Sequence, residues 1–300
     1  MSSAPALPSS PVPGDTIAPW LHEVASTYAG DKHYEIYRGT PSGVGVTVPA
    51  PSPEELDAMY GAHYDYDAHT LIEAEKRWRS AKLIELVVAR APIESALDVG
   101  CMYGYLLDEL GRRGCQRLQG IEISAGPAAA TEARGIPVHR GGIEDYAVAH
   151  PEVAFDAIFA QHVLEHVRDP ASFLRAAHRL LRPGGKLAVA VPHLGARTQR
   201  LFSTAWGWYQ VPAHLFHFSS EALRALLGGA GFTIDREERR GGDSLFVLMT
   251  LSHLVRPPGP GARGPLSGAA KGVIRAASWL LRPYLYLGDE ELVIVASKAA

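Results

Sequence analysis

Three short stretches carry residue types that could do chemistry. QHVLEH places His162, Glu165 and His166 together, and VPAHLFHFS places His214 and His217 three residues apart. Imidazoles change charge near neutral pH and so can move protons or hold a metal. Histidines at i and i+4 share one face of a helix, so His162 and His166 with Glu165 form a candidate divalent-metal set. The plain alternative is that Glu165 and His166 brace the following helix by hydrogen bonds. The third stretch, SALDVGCMYGYLLDEL, reads as a buried strand, a glycine-bearing turn and a helix, with Asp98, Gly100 and Gly104 at the turn.

Such a turn commonly cradles a nucleotide, because ligands of doubly wound sheets bind beyond the carboxyl ends of the strands. A pyrophosphate needs bare backbone at the second glycine of the dinucleotide fingerprint, and here Cys101, Met102 and Tyr103 stand between Gly100 and Gly104. The loop therefore suits a nucleoside ligand without phosphates better than a dinucleotide. Glu122, in LQGIEIS, follows at the spacing where such folds put a carboxylate on the ribose hydroxyls. A strand-terminal acid is otherwise an ordinary surface residue.

The elements that must position these residues follow from periodicity. Strands are expected at ALDVG, RLQGIEIS, PVHRG, FDAIFAQ and KLAVAVP, with helices beginning near Tyr103, Gly126 and Asp169. LRPGGKLAVAVP reads as a helix ending at Pro183-Gly184-Gly185 before the chain re-enters the sheet. A capped helix from Ser219 or Ser220 to Gly228 and a further strand come next. The pattern is α/β: a doubly wound, Rossmann-like, mostly parallel seven-stranded sheet with a helical N-terminal cap and a C-terminal helical insertion before the last strand.

Residues 1–29 read as a flexible Pro/Ser-rich leader, 30–92 as a hairpin and helical cap, and 93–300 as the main domain with an insertion about 244–287. Ser52 and Glu55 make a capping box, and TLIEAEKRWRSAKLIELVVAR is an amphipathic helix expected to lie against the main domain. In the insertion the ionised side chains from Leu251 to Leu287 are all basic: Arg256, Arg263, Lys271, Arg275 and Arg282. Apolar helices so flanked could touch a membrane surface or a lipid-like substrate, or simply cover the sheet. WGWYQ could form an aromatic wall over a substrate or pack in a core.

A net charge of -3 argues against a nucleic-acid binder. Two cysteines without CxxC spacing, and no secretory signal pattern, point to a reducing, cytoplasmic setting. Oligomeric state is not written in these residues.

In order, ALDVGCMYGYLL, GIEIS, GGIEDY, FDAIFAQHVLEHVRDP, LLRPGGKLAVAVPH and HLFHFSSEALRALLGGAGF resemble the class I S-adenosylmethionine-dependent methyltransferases. The likeness is to the branch holding the ubiquinone-biosynthesis and natural-product O-methyltransferases, and it covers roughly 96–232. It implies S-adenosyl-L-methionine as cofactor and a small-molecule acceptor, with a sugar, lipid-linked or secondary-metabolite hydroxyl methylated by in-line displacement. A silent cofactor-binding subunit and an NAD-dependent oxidoreductase are the alternatives.

The resemblance assigns Asp98, Gly100, Cys101 and Gly104 to the methionine part and loop wall, Glu122 to the ribose, and Ile143 with Glu144 to the adenine. Gln161 and His162 fall beside the sulfonium. A hydroxyl acceptor needs a proton acceptor, for which His162 is the first candidate and His214 the second. Gly142 stands where many members carry an acid. HYEIYRGTPSGVGVTVPAPSPEELDAMYG resembles the remnant of a small zinc-ribbon leader whose cysteines are gone, so no zinc is expected there.

Overall fold

The computed structural model describes residues 9–24, 34–58, 73–88, 93–241, 250, 276 and 288–299. The chain divides into two compact units. The larger comprises Asp65–Val191, Leu226–Arg240 and Glu291–Ala300, and the other comprises Met1–Tyr64, Pro192–Ala225 and Gly241–Glu290.

In chain order the described elements are β1 (Thr16–Val24), β2 (Tyr34–Thr40), β3 (Gly45–Val48), α1 (Pro53–Ala58), α2 (Glu73–Val88), β4 (Ser95–Val99), α3 (Tyr105–Arg112), β5 (Arg117–Ile121), α4 (Ala125–Glu132), β6 (Val138–His139), α5 (Ile143–Ala149) and β7 (Phe155–Gln161). There follow α6 (Pro170–Leu180), β8 (Leu181–Pro192), α7 (Arg197–Phe202), β9 (Phe216–His217), α8 (Ser220–Gly229), β10 (Phe232–Arg240) and β11 (Glu291–Lys298).

The larger unit is built on the expected seven-stranded sheet, in the order β10-β11-β8-β7-β4-β5-β6. The β4–β5, β4–β7, β5–β6 and β7–β8 pairs are parallel, and β10 runs antiparallel to β11. Every residue of β4 is buried, as is all of β7 up to Gln161, the continuous apolar run of strands covered on both faces. Alternate residues Ala157 and Phe159, Ala188 and Ala190, and Val293 and Val295 turn to one side and pack with Leu83, Ile84 and Val87 of α2 and Leu106, Leu107 and Leu110 of α3. The amphipathic helix predicted before the sheet thus lies on the main domain.

Buried Asp156 ties the strand entrances together. Its Oδ2 accepts the backbone N–H groups of Glu94 (2.7 Å) and Ser95 (3.0 Å), while Ser95 Oγ accepts the Asp156 N–H at 3.0 Å. Asp169 caps α6, accepting the Ser172 N–H at 2.9 Å, with Pro170 in the first turn.

Two sequence expectations change here. The helix read as running to Pro183-Gly184-Gly185 ends at Leu180, because Leu181 already pairs with Phe155 and the next register pair is Ala157 with Lys186. Arg182 to Gly185 are absorbed as a bulge, with Gly184 at φ +74°. Helix α5 begins within GGIEDY, at Ile143, although no helix was expected there: Ile143, Tyr146 and Ala147 are buried on one side of it.

The other unit carries an antiparallel sheet in the order β1-β2-β3-β9. Its β2–β3 hairpin was anticipated, but β1 was not. Thr16–Val24, the latter half of the stretch read as a flexible leader, pairs with β2 from Thr16↔Thr40 to Val24↔Tyr34. Asp15 fastens its start, accepting from Ser10 Oγ and from the Ser42 N–H and Oγ. The Ser52/Glu55 capping box forms at α1, with Ser52 N–H to Glu55 Oε2 at 2.8 Å and Glu55 N–H to Ser52 Oγ at 3.2 Å. Trp206, Trp208 and Tyr209 are fully buried with Val24, Ile36, Leu194 and Val211, so the WGWYQ aromatics serve a core.

The segment predicted as a 30–92 cap therefore divides, the hairpin falling in one unit and α2 in the other. The 244–287 insertion lies outside the described residues apart from Thr250 and Ala276. Among the described residues no helix is long and apolar enough to cross a membrane.

Candidate active site

The order β7-β4-β5 puts a topological switch point at β4, since the chain moves outward through β5 and β6 and then returns to β7 on the other side. Crevices form outside the carboxyl ends of strands at such points. Asp98, Gly100 and Gly104 stand at the end of β4, Glu122 at the end of β5, and Gln161 and His162 at the end of β7.

The glycine loop is held from beneath. Gly100 N–H and Cys101 N–H both donate to the Ile121 carbonyl, at 2.8 and 3.1 Å, and Gly104 N–H donates to the Cys101 carbonyl at 2.8 Å. Gly100 and Gly104 have φ near +70°, and a Cβ on either would meet a side chain: Val163 Cγ2 at 2.5 Å for Gly100, Thr131 Cγ2 at 2.9 Å for Gly104. Glycine is required at both on two counts. Met102 is also left-handed, at φ +44°, and its N–H donates to Glu122 Oε2 at 3.0 Å. Thr131 Oγ1 donates to the Met102 carbonyl at 2.7 Å.

Glu122 is thus both a lining residue and a brace. Its second oxygen accepts the Ser124 N–H at 2.8 Å, and the residue is 6% exposed. Asp98, also buried, has its carboxyl pushed well above the usual carboxylate range, first by burial and then by the charge of Glu122. Two buried acids at one loop favour a cationic, hydroxyl-bearing ligand and oppose a pyrophosphate, for which the Met102 amide is already committed to Glu122. An adenosyl sulfonium with its amino-acid tail fits that donor set.

Cys101 enters this loop through its backbone. Its side chain belongs to the core, pressed on Gly120 so that a Cβ there would lie 2.6 Å from Sγ, and burial with Asp98 and Glu122 raises the thiol pKa. Ile143, buried, opens α5. Gly142 caps that helix in extended backbone and donates its N–H to Asp145 at 3.3 Å, so Asp145 supplies the reciprocal acid. Glu144 is half-buried, and its carboxyl is raised by burial and by Asp145 and Asp169.

Beyond β7, Gln161 is the last paired residue, and His162 N–H donates to the Ala190 carbonyl at 2.8 Å with φ +56°. The His162 ring lies between two buried carboxylates, Nδ1 at 3.3 Å from Glu165 Oε1 and Nε2 at 2.9 Å from Glu291 Oε1. Arg79 of α2 pairs with Glu291, both almost wholly buried. Burial alone would lower the His162 pKa, but the hydrogen bonds and charges of Glu165 and Glu291 outweigh it and lift it to about 9. Burial would raise Glu291, but Arg79 and His162 bring it down to about 2.

At neutral pH His162 is therefore an imidazolium with both N–H groups spent. It has no lone pair to receive a proton or bind a metal, which revises its expected role as base and its place in the candidate metal set. Glu165 and His166 remain beside it, Glu165 buried and the His166 N–H donating to the Val163 carbonyl at 2.9 Å. Arg79 and Glu291 were missed in the sequence. Their one signal is a basic residue on the buried face of α2, beside Ser80, Leu83 and Ile84.

In the other unit, buried His214 faces the Trp208 carbonyl through Nδ1 at 2.9 Å. A carbonyl only accepts, so Nδ1 carries a proton. Thr47 donates its hydroxyl hydrogen to the His214 carbonyl (2.6 Å), so the 3.0 Å contact to His217 is donated by the imidazole Nε2. Burial pushes His217 down to about 3, keeping it neutral.

A doubly wound sheet with an acid-lined glycine loop at its switch point defines a Rossmann-like enzyme of nucleoside-bearing cofactors. A family model for a methyltransferase domain matches residues 71–237. The chain belongs to that family, in the class I S-adenosylmethionine-dependent methyltransferases. It is 36% identical over 100 residues to a ubiquinone biosynthesis O-methyltransferase of Sodalis glossinidius, covering 31% of this chain and 39% of that one. It is 35% identical over 147 residues to the Hahella chejuensis protein of the same name, covering 45% and 61%. The chain thus spans less than two thirds of the length of these curated relatives.

The fold is shared with a SAM-dependent methyltransferase from Archaeoglobus fulgidus (TM-score 0.53, 16% identity, 78% of this chain and 100% of that one). It is shared also with the N-methyltransferase NodS of Bradyrhizobium japonicum, solved with S-adenosyl-L-homocysteine (TM-score 0.51, 14% identity, 82% and 98%).

Proposed function

We propose that this protein transfers a methyl group from S-adenosylmethionine to a hydroxyl oxygen of a small-molecule acceptor, of the sugar, lipid-linked or secondary-metabolite kind. The reading is carried by one observation: buried Asp98 and Glu122 line a glycine loop whose Met102 amide is tied to Glu122. The named O-methyltransferase relatives support oxygen as the acceptor atom.

When bound, the cofactor would supply a methyl group activated on a sulfonium, for in-line transfer to the acceptor oxygen with a neutral thioether as the leaving group. The chain's task is to bind, orient and keep water out. With the cofactor bound, Glu122 would take the ribose hydroxyls, Asp98 with the backbone of Gly100, Cys101 and Gly104 would hold the methionine part, Ile143 and Glu144 would flank the adenine, and Gln161 would face the sulfonium. The acceptor's proton goes to a histidine, for which His214, with Nδ1 held at 2.9 Å from the Trp208 carbonyl, is the candidate.

Calorimetry with S-adenosylhomocysteine and NADH tests the first half. Binding of the former alone is expected, and NADH binding would overturn the reading. Glu122→Ala should weaken S-adenosylhomocysteine by about 1–3 kcal/mol. Transfer of labelled methyl to a panel of hydroxyl acceptors tests the second half. His214→Gln should cut turnover by about a hundredfold or more, and cofactor binding without transfer to any acceptor would favour a silent cofactor-binding subunit.

A further inference from the structure

Tyr105 and Asp108 stand one turn apart on α3, the helix that opens directly after Gly104, so they share a face of it. Two arginines from outside the helix close on both. Arg77 of α2 holds its guanidinium carbon 4.5 Å from the centre of the Tyr105 ring and its Nη1 3.3 Å from Asp108 Oδ2. Arg134, just beyond α4, lies 5.5 Å from the same ring centre and pairs with the same carboxylate oxygen. Glu73 steadies Arg77, accepting its Nε–H at 2.7 Å. With Tyr105 only 8% exposed, the ring offers its face to cations in place of water.

This cluster reaches the cofactor loop by two routes. The Asp108 N–H donates to the Gly104 carbonyl at 2.8 Å, so the residue that collects both arginines also fixes the last residue of the loop. The Arg134 N–H donates to the Thr131 carbonyl at 3.1 Å. Thr131 in turn donates its hydroxyl to the Met102 carbonyl at 2.7 Å, and its methyl would lie 2.9 Å from a Cβ at Gly104. The loop needs such holding, because glycine at both ends gives its backbone many alternatives. A ligand that had to select one of them would bind more weakly by the cost of ordering. A lone, partly exposed ion pair would do little. Two cations converging from different elements on one ring and one carboxylate fix where α3 begins.

We infer that Arg134 and Arg77 are positioning residues for the amino-acid tail of the cofactor: by clamping Tyr105 and Asp108 they set the Gly104 end of the loop, whose backbone would meet that tail. Both act through α3 rather than on the ligand. The inference deepens the methyltransferase reading and rests on it.

Calorimetry on the full-length protein with S-adenosylhomocysteine and 5′-methylthioadenosine tests it, since the second ligand keeps the adenosine and the thioether but lacks the amino-acid tail. Arg134→Met should weaken S-adenosylhomocysteine about fivefold and leave 5′-methylthioadenosine, titrated to millimolar concentration, within about twofold. Arg77→Met should move the ratio of the two affinities the same way by a smaller factor, because Arg134 still holds Tyr105 and Asp108. Arg134→Lys keeps the cation and should restore most of the ratio; a lysine no better than methionine would overturn the proposal. Equal weakening of both ligands in Arg134→Met, the mark of a merely structural pair, or no weakening of either, would also overturn it while leaving the cofactor reading intact. If neither ligand bound the wild-type protein, the methyltransferase reading would fall and the proposal with it. Should Arg134→Met fail to fold, Tyr105→Leu, which removes the ring and leaves both ion pairs, takes its place: a lowered ratio is expected, and one equal to that of the wild type would sink the proposal.

Discussion

His162 shows how neighbours decide what a side chain can do. An imidazole at the end of a central strand reads as a base, yet two carboxylates, one of them paired with Arg79, hold it as a cation up to about pH 9. The raised pKa makes its contribution to stability fully present below the ordinary histidine value near 6.5 and lost as the pH rises through about 9. The urea midpoint of the wild-type protein is therefore expected to fall between pH 7.5 and 10, values chosen as roughly bracketing that loss. His162→Gln should flatten this segment of the profile, and an equally steep fall in the variant would remove His162 as its source. The depressed Glu291 acts at the other end, stabilising above the usual glutamate range and losing that effect as the pH falls toward about 2.

At the scale of elements, the strand-to-helix turn after β4 is fixed by two contacts that admit no side chain. Gly100→Ala must bear both a positive φ and a 2.5 Å approach to Val163 Cγ2. It should cost about 1–3 kcal/mol. Val163→Ala removes the obstructing methyl but leaves the left-handed backbone, so a denaturation double-mutant cycle should show favourable coupling of about 1 kcal/mol. Additive costs would place the strain in the backbone alone. The turn was legible in SALDVGCMYG because glycines flanking a buried strand are a local signal. The end of α6 was not, because LRPGG breaks a helix equally well at several residues and the choice of Leu180 was made by the pairing of Leu181 with Phe155.

Across the whole molecule, β1 supplies one outer strand of the β1-β2-β3-β9 sheet, and its Val24 joins the core with Tyr34, Trp206 and Tyr209. Deleting residues 1–24 should expose β2 as an unpaired edge and lower stability by more than about 2 kcal/mol, seen as a depressed melting temperature and increased aggregation on heating. An unchanged melt would return this stretch to the status of a leader. Its Pro and Ser content hid the strand, since composition reports what a segment can do alone and not which edge awaits it. What the chain's order of residues determined by itself was the alternation of buried strands and helices, and the acids Asp98 and Glu122 at the ends of successive strands, because periodicity and spacing along a strand are local properties. What only the tertiary structure decided was the charge on His162, the partnership of Arg79 and Glu291 and the pairing of β1, because these groups meet across long separations, 129 residues between His162 and Glu291. Electrostatic fields and sheet edges arise only when such distant groups are brought within reach.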